Sequence, residues 1–80
     1  MQQPGKKYLK IIGENIRKKR DELGISQQEL ADNANIAKST IQRIEKGTLN
    51  PSILTLINIS ETLELELSKI VLHKKQRSEL

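Results

Sequence analysis

Eighty residues make one domain at most and bury a modest core. The sequence has no cysteine, which excludes a disulfide framework and a thiolate zinc site, and no apolar run near the roughly 18 residues of a membrane-spanning helix. Its net charge is +4, and its apolar residues are almost all Ile, Leu and Ala with Tyr8 as the one aromatic, a set that suits packed helices better than a small β-sandwich.

In chain order the pattern is helical, without the alternation of strands. Residues 1–7 read as a mobile basic tail in which Pro4-Gly5 forms the break. No apolar signal-peptide core follows Lys6 and Lys7, so a cytoplasmic setting, in a microbe or a virus-infected cell, is expected. Helix 1 is predicted from Tyr8 to Leu23, with Leu9, Ile12, Ile16 and Leu23 on one stripe at about 100° per residue and Gly24 as its stop. Ser26-Gln27-Gln28-Glu29 is a capping box that opens helix 2, Gln27 to Asn33, with Leu30 and Ala31 inward. Asn33-Ala34-Asn35 makes the turn, since Asn tolerates left-handed geometry. Helix 3 covers Lys38 to Lys46 and stops at Gly47. Thr48-Leu49-Asn50-Pro51 is a loop, and Ser52 caps helix 4, Ile53 to Leu63. Helix 5, Glu66 to His73, leads into a charged tail, residues 74–80, so the helical domain is expected to span 8–73.

The charge is unevenly placed. Residues 6–20 hold Lys6, Lys7, Lys10, Arg17, Lys18, Lys19 and Arg20 against Glu14 alone, while 61–66 hold Glu61, Glu64 and Glu66 and no base. A polyanion bound at the basic end fits this asymmetry, and so does a solvated helix face. Helix 3 says more. By angle, Ile41 and Ile44 point inward with Ala37, whereas Ser39, Gln42, Arg43 and Lys46 lie on the opposite half, flanked by Lys38 and Thr40. An ordinary amphipathic helix would show a polar outer face too, but these side chains are the hydrogen-bonding types that read base edges in the major groove: Gln on adenine, Arg on guanine, Ser or Thr on either edge or a phosphate.

No group of residues suggests catalysis. His73 is the only histidine and sits near a helix end, Glu64 and Glu66 point to different sides, and the glycines form no phosphate-cradling loop. No enzyme activity, cofactor, metal or small-molecule substrate is expected. Helix 1 with its lysines could also be read as a membrane-surface helix, but its apolar stripe is needed for the core.

The stretch from Ile12 to Ile70 resembles the helix-turn-helix domain of the phage repressor and Cro class of regulators. The matching words are Ile16-Arg17 with Arg20 and Leu23-Gly24, Ser26-Gln27-Gln28-Glu29-Leu30-Ala31, Ser39-Thr40-Ile41 with Ile44-Glu45-Lys46-Gly47, and Asn50-Pro51-Ser52 with Thr55-Leu56. The resemblance implies an all-α, five-helix bundle with helix 3 as recognition helix, and a two-fold homodimer on a pseudo-palindromic double-stranded DNA site. It implies that Lys38, Ser39, Gln42 and Arg43 face bases, that Thr40 and Lys46 lie nearer the backbone, that Gln27 contacts a phosphate, and that amides from Thr48 to Asn50 clamp another. The function expected is a transcriptional repressor or controller. An antitoxin-like or adaptor module that captures a protein partner is the alternative on the same fold.

Arg20 lies about 40° from Ile16 on the apolar stripe, and Glu45 is similarly close to Ile41. A charge on an apolar face is costly unless paired, and the family pattern pairs these two positions, which implies a structural ion pair between helices 1 and 3. Three positions depart from the family. Ala37 stands where Ser or Thr caps helix 3, with Asn35 as a substitute cap further back, and Asn35 replaces the turn glycine. Leu63-Glu64-Leu65-Glu66 replaces a Leu-Gly-apolar-Ser word, so helix 4 is free to run on. Leu54, Ile57, Leu65, Leu67 and Val71 are more apolar side chains than one small bundle readily buries, and are expected to supply a dimer surface, unless several of them complete the core of helices 4 and 5.

Overall fold

Helix α1 (Lys6–Leu23) starts two residues before the predicted Tyr8, with Gly5 as its N-cap, and so takes in two lysines assigned to the tail. It is followed by α2 (Gln27–Ala34), α3 (Lys38–Lys46), α4 (Ile53–Thr62) and α5 (Leu67–Val71). The computed structural model describes residues 5–71, and no strand occurs among them. The expected end of helix 5 at His73 and the tail 74–80 lie outside the described residues.

Local chemistry explains the starts. Ser26 Oγ accepts the Glu29 amide at 3.0 Å while Glu29 Oε1 accepts the Ser26 amide at 2.9 Å, which completes the capping box. Ser52 Oγ accepts the Thr55 amide at 3.1 Å. Helix α3 has Ala37 as N-cap and no side-chain cap bond, and Asn35 is used at the end of α2 instead. Ala37 is exposed rather than inward, because an N-cap with ψ 141° stands outside the helical spiral that a 100° spacing describes. Ile36 packs on the core in its place.

The ends share one device. Gly24, Asn35, Gly47 and Glu64 all take left-handed φ, between 54° and 77°. In each case the residue after the turn donates its amide back over the last helical turn: Ile25 to Arg20, Ile36 to Ala31, Thr48 to Arg43 and Leu65 to Ser60, at 2.9–3.1 Å. Ile25, Ile36 and Leu65 then pack against the core, which is the apolar contact that accompanies this cap.

The end of α4 corrects the expectation that it runs on. The helix stops at Thr62, because Leu63 is fully buried beneath it and Glu64 accepts the strained φ that a glycine would take freely. A left-handed non-glycine residue costs about 1–2 kcal/mol, and glycine's greater freedom when unfolded returns roughly 0.5–1 of that. Glu64→Gly is therefore expected to raise stability by about 0.5–1 kcal/mol and the melting temperature by a few degrees. An unchanged or lower melting temperature would show that Glu64 is not strained.

In the packing, α1 lies on α3 and α5, α2 lies on α3 and α4, and α4 meets α5. The core they enclose is Ile16, Leu30, Ile41, Ile44, Ile59, Leu63 and Ile70, all essentially inaccessible, with Ala31, Ala34 and Leu56. Asn15 Nδ2 donates to the Ile70 carbonyl at 2.6 Å and ties α1 to α5. Leu23, expected on the buried stripe, is 45% exposed: it stands at the last position of α1, beyond the stretch where Ile12 and Ile16 meet the core. Of the surplus apolar residues, Leu65 and Leu67 pack against the core, while Leu54 and Val71 remain exposed, as does Ile53.

Candidate nucleic-acid interface

Helix α3 is held from three sides. Its inner residues Ile41 and Ile44 are buried against the core. At Gly13 its backbone meets α1: a β-carbon on that residue would overlap the Ile44 carbonyl oxygen and lie 2.6 Å from that of Glu45. Gly47, at the end of α3, lies against Lys10 of α1.

The third hold is polar. Arg20 Nε donates to Glu45 Oε2 at 2.8 Å and Arg20 Nη2 to Oε1 at 3.2 Å, a two-pronged pair whose side chains are 12% and 5% exposed. Arg20 Nη1 donates to the Ile25 carbonyl at 2.9 Å, which fixes the fork against the loop after α1. Gln27 Nε2 donates to Glu45 Oε1 at 3.0 Å, so the Glu45 carboxylate joins α1, the first turn of α2, and α3. The hydrogen bond to Glu45 raises the Arg20 pKa above its ordinary value, burial opposes this, and the charges of Glu45 and Asp21 add to it. Among the described residues no buried side-chain nitrogen or oxygen is left without a partner.

Opposite this anchored side, Lys38, Ser39, Gln42 and Arg43 are all exposed, with Lys46 one turn on and Thr40 half-buried at the flank. Among the described residues none of these four leading side chains is tied by a hydrogen bond or ion pair. The result is a helix with a rigid inner face and an open, donor-rich outer one. Beside it, a cleft of about 340 Å³ is lined by Arg17, Gln27, Gln42, Glu45 and Lys46.

Two residues sit differently from a simple phosphate clamp. Gln27 already spends one amide hydrogen on Glu45, leaving one for a ligand. Thr48 gives its amide to the Arg43 carbonyl at 3.0 Å and its hydroxyl to the same oxygen at 3.2 Å, so both donors are engaged in ending α3. Asn50 is exposed in the following loop. Gly13 has no part in the sequence expectations above, although a glycine inside a helix costs about 1 kcal/mol against alanine and so signals a close approach. Arg17 stands out in the sequence only as one of the basic residues of 6–20 and as part of the family words, because nothing local shows that α1 reaches the cleft beside α3.

The chain matches the helix-turn-helix family over residues 16–70. An uncharacterized HTH-type transcriptional regulator of Methanothermobacter thermautotrophicus is 39% identical over 51 residues, 64% of this chain and 74% of the relative. The immunity repressor protein of Bacillus phage phi105 is 35% identical over 60 residues, 75% of this chain and 42% of the repressor, so the chain spans less than half of that relative. In structure, the N-terminal DNA-binding domain of SinR from Bacillus subtilis superposes with a TM-score of 0.76 at 37% identity, covering 80% of this chain and 94% of the domain.

Proposed function

As the chain belongs to the helix-turn-helix family, its match spanning residues 16–70, we propose that it is a transcriptional regulator, a repressor or controller, that binds double-stranded DNA in a sequence-specific way. The observation that carries the reading is α3 itself: Ile41 and Ile44 buried, Glu45 anchored to Arg20, and Lys38, Ser39, Gln42 and Arg43 exposed together on the other side. Laid in the major groove, Gln42 suits adenine and Arg43 suits guanine, each by a two-pronged bond, while Lys38 and Ser39 reach neighbouring edges. Gln27, Thr40, Lys46 and Asn50 supply backbone contacts that set register. For Thr48 that role requires release of its bonds to Arg43.

It acts by occupying its site rather than by catalysis, in the cytoplasm, where the DNA is. No helix among the described residues is long and apolar enough to cross a membrane. A homodimer doubles the reading, with half-sites about 34 Å apart on one face of the duplex. Ile53 and Leu54, 59% and 70% exposed at the start of α4, are apolar surface that a second copy would cover.

Selection from a random duplex pool tests the function. Inverted half-sites should be enriched, and Gln42→Ala with Arg43→Ala should remove the preference while the domain stays folded, since each two-pronged base contact carries about 1–3 kcal/mol of discrimination. Failure to enrich any sequence over several rounds would count against the reading.

A further inference from the structure

The cleft between α1, α2 and α3 contains a cation that the recognition surface does not include. Arg17, on α1, lines it together with Lys46 on α3, the two glutamines Gln27 and Gln42, and Glu45. We propose that this cleft takes a DNA backbone phosphate, with Arg17 as its cationic arm and Asp21 as an internal competitor for that arm. This rests on the reading that the chain binds duplex DNA.

Charge within the cleft favours an anion. Glu45 is the one acid among the described residues of its lining, and its carboxylate already accepts three N–H bonds, two from Arg20 and one from Gln27. Arg20 neutralises it, so within the lining Arg17 and Lys46 give the cleft a positive balance. Gln27 brings its second amide hydrogen, and Gln42 another donor. A volume of about 340 Å³ accommodates a phosphate group. Because Gln42 also belongs to the outer face of α3, a phosphate held here is one beside the bases that this helix faces.

Arg17 is not idle in the free protein. Its Nη1 lies 3.3 Å from Asp21 Oδ2, one turn on along α1, in a pair with both side chains more than half exposed. Such an exposed pair is weak and screened by salt. A backbone phosphodiester offers its two non-bridging oxygens to the guanidinium fork as a two-pronged acceptor, a better partner than the single oxygen contacted on the exposed Asp21 carboxylate. DNA binding thus exchanges one ion pair for another, and Asp21 lowers affinity by holding Arg17 back.

The test is the salt dependence of binding to a mixed-sequence duplex, which needs no knowledge of a specific site. Arg17→Ala should weaken binding roughly five- to tenfold at low salt and flatten the slope of log K against log[salt] by about 0.9, one phosphate's worth. Lys18→Ala removes the same charge from the other side of α1, where Lys18 lines a groove with Lys19, Leu65 and Lys69, and should cost less than about twofold. Asp21→Asn should tighten binding about two- to fivefold, more than Glu22→Gln, an equal change of charge at a carboxylate paired with Lys19. Thermal melting should be little changed in all four, since the side chains altered are surface ones. Equal effects of Arg17→Ala and Lys18→Ala, with wild-type binding intact, overturn this inference alone. A wild-type protein that binds no duplex at low salt overturns the DNA reading and this inference with it.

Discussion

Glu45→Ala is expected to cost about 3 kcal/mol of folding stability, read as a fall in the denaturation midpoint. The cost comes from what remains. Arg20, 12% exposed at its side chain, would lose both of its bonds to Glu45 and keep the Ile25 carbonyl and a longer approach to Asp21 Oδ1 at 3.5 Å. A guanidinium stranded in this way does not escape by losing its proton, because arginine is intrinsically far too basic; in the intact pair the Glu45 hydrogen bond raises the Arg20 pKa further. For a group whose folded pKa is raised, the stabilisation is present in full below the unfolded value and is lost only as pH rises through the folded one. The Arg20 contribution should therefore stay constant up to strongly alkaline pH. A domain of this size is held by roughly 0.05–0.15 kcal/mol per residue, so the loss is a large share of the total.

The double variant Arg20→Met with Glu45→Leu separates a stranded charge from a lost contact. Removing both charges and filling the space with apolar groups should restore most of the stability, because a buried pair weighed against well-packed hydrophobes is often close to neutral. It should not restore DNA binding fully, since Gln27 would lose its bond to Glu45 and with it the fixed position of its amide. A melting temperature unchanged in Glu45→Ala would show that the pair does not hold α3.

Gly13→Ala is expected to destabilise by about 2 kcal/mol, against the usual sign of a glycine-to-alanine change inside a helix. Helix propensity alone would favour the alanine by about 1 kcal/mol. The added carbon meets the backbone carbonyls of Ile44 and Glu45, which have no rotamer to move into, so α1 or α3 must shift as a body. That displacement would move Gln42 and Arg43 relative to Gln27 and weaken DNA binding beyond the loss of stability. Chemical denaturation read together with duplex affinity checks both. Stability equal to or above wild type would mean that the two helices can separate without penalty.

Glu45 and Gly13 both act through contacts between helices, whereas several helix ends are set within the chain itself. The starts of α2 and α4 follow from Ser26 and Ser52, and the ends of α1, α2 and α3 from Gly24, Asn35 and Gly47, because capping and left-handed turns are decided within four or five residues. The outer face of α3 could be placed from the 100° spacing, since Ile41 and Ile44 needed only to find an apolar surface of any kind. Ala37 broke that rule at the one position where the chain is not yet helical.

The sequence by itself determined the helical class, the turns, and which side of α3 is wet, all through interactions between near neighbours in the chain. Tertiary structure decided that α4 ends on a strained Glu64 above the buried Leu63, that Gly13 is where α1 and α3 touch, and that Arg17 faces the cleft beside α3. It also made Glu45 the acceptor for Gln27 as well as Arg20, across separations of 18 and 25 residues. No local rule reaches that far, because such a contact depends on how the helices cross, and the crossing is set by the whole core at once.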